Sequence, residues 1–570
     1  MAPSLVLAAA ACGSNELPVA PPPTCRTSAA QNVTLPVRGA YQALTPLADI
    51  GCLVFPANGS SIDSVEYLVV PQLATDSEGR SAGFVLVGDT LHVTAAANSA
   101  RAAATVSLSP GLQFHDLLRQ MERQRSYPLG PYAGAAAPPS ARLRLGPPLV
   151  GDRRTFKVCS NLTCSTTATV VAFAKTVSSR LAIYVDSLAP ANGLTQSGLD
   201  SLGALFDNRL YAIDTTAFGR ESDIDGNSVV IVLMTNAVNK LITAQQCNST
   251  GGSYVAGFFF GADIDPQFAS QYNHGEIFYS IVADPNGTLS CAHSAIQLQQ
   301  QVPVTFIHEF QHMISYNQHV LIGGGESEVL WLNEGMSHFA EELGGRSFLP
   351  NDTLFSRFVI NDLYNAYTYL DAPGDHFLAP ASGGGNVGTL AERGAAWLFV
   401  RYMVDQFRAD TSFTATAAFT RKIDETNLVG SANVQTQTGV PFATLVERWA
   451  LANYVSDLPG FTAPNELRYT SWQFRSEYAN LNSQCFKFQP PCPFAKPFPL
   501  TPPASDGPSV QLGGTLRAGS GVYLRVVQLP SQPGFTLYFS GNWYKILFAG
   551  PYEKTIPAEL NPRLNIIRIR

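Results

Sequence analysis

The sequence predicts a multidomain α+β protein, and three observations lead to that class. The chain has 570 residues, too many for one compact core, so we expect about two to four domains. Residues 30 to about 110 alternate short apolar runs, such as SVEYLVV and AGFVLVG, with Gly, Pro, Asn and Asp, which is the pattern of strands. From Ala189 to Asp457 apolar residues recur at helical spacing, and strand-like runs such as GVYLRVVQL and LNIIRIR return near the end.

These changes of pattern divide the chain into four predicted segments. Residues 1–29 read as an export signal and tether, and residues 461–570 as a connecting segment with a small C-terminal β unit. Residues 30–177 read as a β-sandwich-like N-terminal domain, interrupted by a short polar helix from Gly111 and by a Pro/Ala/Gly linker near 127–140. Residues 178–460 form the α-rich domain, which includes the buried strand SVVIVLMTNAV.

Composition and the N-terminus bound the setting in which the protein works. A formal charge of −7 gives no electrostatic reason to bind nucleic acid. The apolar run Leu5 to Ala11, followed by Cys12 and Pro-rich sequence, resembles a bacterial lipoprotein signal in which Cys12 becomes the lipidated first residue. No segment reaches about 18 uninterrupted apolar residues, so we expect no transmembrane helix. The predicted location is the bacterial cell envelope, through a lipid tether, or the medium outside the cell.

The cysteines favour an oxidising compartment. Nine are present, and eight remain once Cys12 is set aside, an even number that can pair completely. Pairing of sequence neighbours predicts Cys25–Cys52, Cys159–Cys164, Cys247–Cys291 and Cys485–Cys492, although eight cysteines permit 105 connectivities. A cysteine zinc site is disfavoured because the chain has no C-x-x-C.

The stretch FIHEFQHMISYNQH concentrates metal-binding chemistry on one predicted helix. Val304, Ile307, Phe310 and Ile314 give this helix an apolar face, and Pro303 suits its first turn. His308 and His312 stand four residues apart and so project from one side, where two imidazoles can reach a single ion. Glu309 lies beside them, which completes an H-E-x-x-H motif.

A third ligand must come from elsewhere, and two places were considered. His319 follows the motif, but Ser315 stands where the elongated histidine pattern needs a glycine, so the helix should continue and carry His319 away. The other place is a second predicted helix, ESEVLWLNEGMSHFAEELGG, which presents Glu334 on the side opposite its apolar face. Glu326 and Glu328 are rivals that precede this helix, and we prefer Glu334.

HEFQH followed by WLNEG resembles the gluzincin metallopeptidases, and the wider match most resembles the hyicolysin-type metallopeptidases over roughly 178–457. The resemblance implies a zincin-like catalytic domain and one zinc ion held by His308, His312 and Glu334. In thermolysin-like members an aspartate four residues after the glutamate ligand orients a zinc histidine, whereas this chain has His338 there. Glu341, Glu342 or a backbone carbonyl are the alternatives for that role.

The predicted function is zinc-dependent endopeptidase cleavage of a protein or peptide. Zinc with three protein ligands leaves a position for water and lowers the pKa of that water toward about 7. Glu309 is the predicted general base. One alternative is a catalytically silent zincin-like surface adhesion or scaffold protein; another is an exopeptidase, disfavoured because no G-x-M-E-N type segment precedes the histidines. Six residues are candidates for the oxyanion donor, and none is preferred: Tyr364, Tyr367, Tyr369, His376, Arg393 and Tyr402.

Overall fold

A computed structural model describes residues 30–46, 50–89, 109–131, 146–249, 252–382, 388–488, 492–541 and 556–570. Within these residues the chain builds a β-sandwich, a six-stranded mixed sheet and a large helical region. The predicted class, a multidomain protein of mixed α and β structure, is confirmed at that level. Cys12 and the predicted tether, together with most of the linker near 127–140, lie outside the described residues.

The sandwich consists of two five-stranded sheets that share one apolar core. The first sheet has the order β1 (Ala30–Asn32), β3 (Ile50–Phe55), β15 (Phe535–Ser540), β5 (Ser81–Val87) and β13 (Gln511–Arg517). The second has the order β12 (Ala504–Asp506), β14 (Leu524–Gln528), β4 (Val65–Leu73), β16 (Pro562–Arg568) and β2 (Tyr41–Leu44). Every residue of β4 is buried, because β4 lies in the middle of its sheet and faces the other sheet across the core.

This pairing corrects the prediction of two separate β units. β4 from the N-terminal region lies between β14 and β16, which come from the C-terminal region, and it runs antiparallel to both. The physical reason is that alternation along one strand indicates a buried face but does not identify the neighbouring strand. The predicted small C-terminal β unit is therefore half of a sandwich that the N-terminal strands complete.

The six-stranded mixed sheet begins earlier in the chain than residue 178, the predicted start of the α-rich domain. Its order is β10 (Gly257–Phe259), β11 (Ile277–Ser280), β9 (Val230–Met234), β8 (Leu181–Asp186), β7 (Thr167–Val177) and β6 (Arg153–Cys159). β8, β9 and β11 are parallel, whereas β6, β7 and β10 run antiparallel to their neighbours. The predicted boundary at residue 177 separates β7 from β8, which the structure pairs, so β6 and β7 belong with this sheet rather than with the sandwich. β10 forms one edge of the sheet.

The described residues contain thirteen α-helices. They are α1 (Pro110–Gln124), α2 (Gln196–Leu205), α3 (Tyr211–Ala217), α4 (Asn236–Asn239), α5 (Ala244–Cys247), α6 (Ala295–Tyr316), α7 (Leu330–Arg346), α8 (Asp352–Asp371), α9 (Leu390–Phe407), α10 (Phe413–Asp424), α11 (Gly430–Thr438), α12 (Phe442–Val455) and α13 (Phe474–Phe488). α6 packs against β10 and α7, and α7 packs in turn against α8 and α9. The helix predicted from Gly111 is present as α1, but it is largely buried rather than a polar surface helix.

α6 starts earlier than predicted. Ser294 caps it, with the Ser294 hydroxyl accepting from the Gln297 amide and the Gln297 side chain accepting from the Ser294 amide, a complete capping box. Pro303 therefore lies inside the helix and not in its first turn. Proline in a helix interior removes one backbone hydrogen bond, and the capping box and burial of the following turns hold the helix together across that gap.

Three of the predicted disulfides are present: Cys159–Cys164, Cys247–Cys291 and Cys485–Cys492. Cys52 is also disulfide-bonded, and Cys25 lies outside the described residues. In the described part of the chain, no helix combines the length and apolar character that crossing a membrane requires.

Candidate metal centre

His308 and His312 on α6 meet Glu334 on α7 at the contact between the two helices. The Nε2 atoms of the histidines are 3.1 Å apart. Glu334 Oε2 lies 3.6 Å from His308 Nε2, and Glu334 Oε1 lies 3.9 Å from His312 Nε2. The structure thus brings the three predicted ligands together, because four-residue spacing stacks the imidazoles on α6 while α7 presents Glu334 to them.

The arrangement fits a zinc ion on two counts. Tetrahedral zinc with bonds of about 2.0–2.2 Å separates its ligand atoms by about 3.4 Å, within the range of the distances found here. In addition, both Glu334 carboxylate oxygens are buried without a hydrogen-bond partner. The ion pair with Arg393 Nη1, 3.2 Å from Oε2, offsets part of the cost of burying this carboxylate, and a cation between it and the two imidazoles would offset the rest.

Each imidazole is oriented through its Nδ1 atom. His308 Nδ1 lies 2.8 Å from Glu341 Oε1. His312 Nδ1 lies 2.9 Å from the Ser337 hydroxyl, whose proton is donated to Gln311 Oε1. Glu341 and Ser337 therefore both accept from an imidazole N–H, which leaves the two Nε2 lone pairs directed at Glu334 and available to a metal.

These contacts explain how the chain departs from the thermolysin-like pattern. Glu341, one of the alternatives that the sequence left open, contacts His308, so the orienting carboxylate stands one helical turn later than in the family pattern. His338, at the family's aspartate position, contacts Glu341 at 3.0 Å and Asp362 at 2.8 Å. Glu342 points away from the centre and accepts from Trp397, Trp472 and Arg401.

Glu309 lies next to the ligand set with its two oxygens in different surroundings. Its Oε2 accepts a hydrogen bond of 2.9 Å from the Phe259 amide of edge strand β10. Its Oε1 faces His115 Nδ1 at 3.7 Å. Burial raises the pKa of Glu309 above its ordinary value, with His308 and Arg119 acting in the opposite direction. A raised pKa suits a carboxylate that must accept a proton and later return it.

Glu334 experiences the opposite balance. Burial by itself raises its pKa, but Arg393, followed by His308 and His312, outweighs burial and holds the pKa well below the usual range. Arg393 Nη1 lies 3.2 Å from Glu334 Oε2. Glu334 is therefore ionised at neutral pH, as a metal ligand must be.

The rival ligands lie elsewhere. α6 is followed by a wider helical turn, Asn317–Ile322, and His319 within it faces Asp424 at 3.6 Å and Glu328 at 3.9 Å. Glu328 accepts from the Gly430 amide and the Asn433 side chain. Glu326 is exposed.

Of the six oxyanion candidates, Arg393 contacts the centre, through Glu334. The others make their contacts with residues outside it: Tyr364 with Phe494, Tyr367 with Lys496, Tyr369 with Ser520, His376 with Tyr369, and Tyr402 with Glu466. His115 of α1 was not considered from the sequence. The sequence shows only that His115 lies in the polar helix before the linker. It does not show that this helix packs near residues 308–334.

Comparison with known proteins gives one partial similarity. The chain is 27% identical over 153 residues to the neutral metalloprotease ShpI of Staphylococcus hyicus, which is 27% of this chain and 32% of that protein. The chain thus spans about a third of its relative's length. No protein-family model matches the chain. The similarity supports a metallopeptidase, and the cluster of His308, Glu309 and His312 fits a metal site of the zinc type.

Proposed function

We propose that the protein is a zinc-dependent endopeptidase of the gluzincin type, with His308, His312 and Glu334 as metal ligands and Glu309 as general base. The observation that carries the proposal is the convergence of the two histidine Nε2 atoms and the buried Glu334 carboxylate, with separations of 3.1, 3.6 and 3.9 Å. The catalytic unit, predicted as 178–460, extends in this proposal to Arg153, because β6 and β7 pair into the same sheet as β8.

The chemistry is divided between the ion and the side chains. Bound zinc acts as a Lewis acid that polarises the scissile carbonyl. It also lowers the pKa of water, so that a hydroxide nucleophile is available near neutral pH. Glu309 takes a proton from the attacking water through Oε1, since Oε2 is held by the Phe259 amide, and returns the proton to the departing amine. Glu341 and Ser337 keep the ligand imidazoles in position.

The disulfides support an oxidising compartment outside the cytoplasm as the location of the protein. A lipid tether at Cys12 stays part of the proposal. The substrate is a protein or peptide. The name of the relative, a neutral metalloprotease, supports proteolysis over the scaffold alternative, as does the presence of Glu309, which a silent site has no reason to bury beside the ligands.

The test compares the purified chain with Glu309→Gln for zinc content and for cleavage of casein. One zinc in each protein is expected, with hydrolysis reduced by about 10²–10⁴-fold in the variant. Glu326→Gln, which changes an exposed carboxylate outside the centre, is the matched control and should cleave at the unmodified rate. Zinc in all three proteins, with no cleavage either by them or by the α1 variants described below, would favour the scaffold alternative, and absence of zinc from all three would contradict the metal centre.

A further inference from the structure

One face of α1 lies against the candidate metal centre. His115, Arg119 and Glu122 stand four and three residues apart and so share that face, and Asp116, three residues before Arg119, borders it. Asp116, Arg119 and Glu122 are buried, with 3%, 4% and 1% exposure. Charged side chains are seldom buried unless they are paired. Asp116 contacts Arg393, and Arg119 and Glu122 pair with each other and with the backbone at the end of β10.

Two of the residues occupy the open edge of the sheet. β10 is an edge strand, and the Phe259 carbonyl at its end accepts a 3.0 Å hydrogen bond from Arg119 Nη2. Two residues further on, the Gly261 amide donates to Glu122 Oε1 at 3.1 Å. Arg119 and Glu122 are also paired with each other at 3.0 Å. An extended peptide adds to a sheet edge through backbone groups of this kind, so α1 takes atoms that a bound substrate would use.

The other two residues, His115 and Asp116, lie close to the proposed general base and to Arg393. His115 Nδ1 lies 3.7 Å from Glu309 Oε1, the oxygen of the base that no backbone amide holds. Asp116 Oδ1 lies 3.4 Å from Arg393 Nη2, while Nη1 of the same guanidinium lies 3.2 Å from Glu334. α1 thus faces the base and contacts the cation beside the ligand set.

The centre beneath α1 is closed to solvent. His308, Glu309, His312 and Glu334 are exposed by 7%, 1%, 2% and 2%, although a peptidase must admit a polypeptide to these residues. We propose that α1 fills the substrate cleft and holds the peptidase in a latent form, so that cleavage requires this helix to leave. The inference rests on the proposed function, because it describes the regulation of the same site.

The contacts that retain α1 are specific. Phe114 is fully buried and packs edge-to-face against Phe258, with ring centroids 5.0 Å apart. Just beyond the helix, Arg125 makes a bidentate pair with Asp265 at 2.8 and 2.9 Å. Arg123 pairs with Glu78, between β4 and β5 of the sandwich. These contacts join α1 both to the sheet that carries the edge strand and to the sandwich.

The test weakens the hold of α1 on the edge strand in the full zinc-loaded chain. Arg119→Met and Glu122→Gln are combined, because removing one alone leaves the other as an unpaired buried charge. The double variant should cleave casein at least about tenfold faster, since the Arg119 bond to the Phe259 carbonyl is lost and the Gly261 amide keeps only a neutral acceptor. Without any substrate present, it should also lose zinc to a chelator at least about tenfold faster. Gln124→Ala, at an exposed position of α1, is the control and should change neither rate.

The outcomes separate this inference from the proposed function. Faster zinc loss with no casein cleavage in any variant keeps the occlusion by α1 and contradicts the peptidase. Cleavage at equal rates by the double variant and the unmodified chain, with equal zinc loss, overturns the occlusion and leaves the peptidase standing. Slower cleavage by a folded double variant also overturns it, because α1 would then belong to the active enzyme.

A second variant decides the matter if the double variant does not fold. His115→Ala removes the imidazole that faces Glu309, at a side chain that is 17% exposed and so tolerates truncation better. Occlusion predicts faster cleavage and faster zinc loss. A catalytic role for His115 predicts slower cleavage with unchanged zinc loss, and that result would overturn the inference.

Discussion

Replacing Glu341 by glutamine should weaken zinc binding, while Asp362 keeps a carboxylate beside His338. Glu341 accepts from His308 Nδ1 at 2.8 Å, and both groups are buried. Glutamine is nearly isosteric, but it exchanges a charge-assisted hydrogen bond for a neutral one of roughly half the strength. Residues that orient a metal-bound histidine typically contribute 10–100-fold to metal affinity. Because the variant retains an acceptor oxygen, we expect the lower limit, about tenfold, or about 1.4 kcal/mol.

The adjacent residue provides a matched control. Glu342 is also buried, but it accepts from Trp397 at 3.1 Å, Trp472 at 3.0 Å and Arg401 at 3.2 Å, away from the ligands. Glu342→Gln removes the carboxylate that pairs with Arg401 and Arg346, and breaking a buried pair can cost about 3–5 kcal/mol of folding free energy. We expect lower stability in this variant and unchanged zinc affinity while it stays folded.

The assay is competition for zinc against a chelator of known affinity, at a temperature where circular dichroism shows all three proteins folded. The expected order is unmodified chain equal to Glu342→Gln, with Glu341→Gln about tenfold weaker. Unchanged affinity in Glu341→Gln, or an equal loss in both variants, would refute the assignment of Glu341 to the orientation of His308.

Two further predictions concern the third ligand and a buried acid. Glu334→Gln should reduce zinc content measured by atomic absorption after dialysis, whereas Glu328→Gln should not, because Glu328 bonds to Gly430 and Asn433; equal zinc retention in both would contradict Glu334 as a ligand. Burial, reinforced by Asp424, raises the pKa of Asp214 well above its ordinary value, and neither Asp214 carboxylate oxygen has a hydrogen-bond partner. A raised pKa in the folded state means that stability falls as pH rises from about 4 through that pKa. Asp214→Asn should therefore gain about 1–3 kcal/mol relative to the unmodified chain between pH 5 and pH 8 in chemical denaturation; a parallel pH dependence in the two proteins would contradict this.

The sequence predicts the parts of the site that depend on local geometry. The four-residue spacing of His308 and His312 fixes their common face once α6 forms, and the apolar face of α7 leaves Glu334 on the opposite side. The family resemblance indicated Glu334. The choice among Glu341, Glu342 and a backbone carbonyl needed the relative rotation of α6 and α7, which spacing within one helix does not contain.

The long-range parts of the fold escaped prediction. The alternation in β4 shows a buried strand but not that β14 and β16, which lie more than four hundred residues later, are its neighbours. The sequence indicated α1 only as a short polar helix before a linker. In the structure the partners of its polar residues are Phe259, Gly261, Glu309 and Arg393, which belong to elements far along the chain. The burial of these charged side chains of α1 can be explained only from the assembled structure, because their partners come from distant segments.

The most direct test of the metal centre is anomalous diffraction at the zinc edge from crystals of the full chain. We expect one strong peak between α6 and α7, within about 2.0–2.2 Å of His308 Nε2, His312 Nε2 and a Glu334 oxygen. A peak coordinated instead by His338 and Glu341, or zinc bound only at the protein surface, would contradict it.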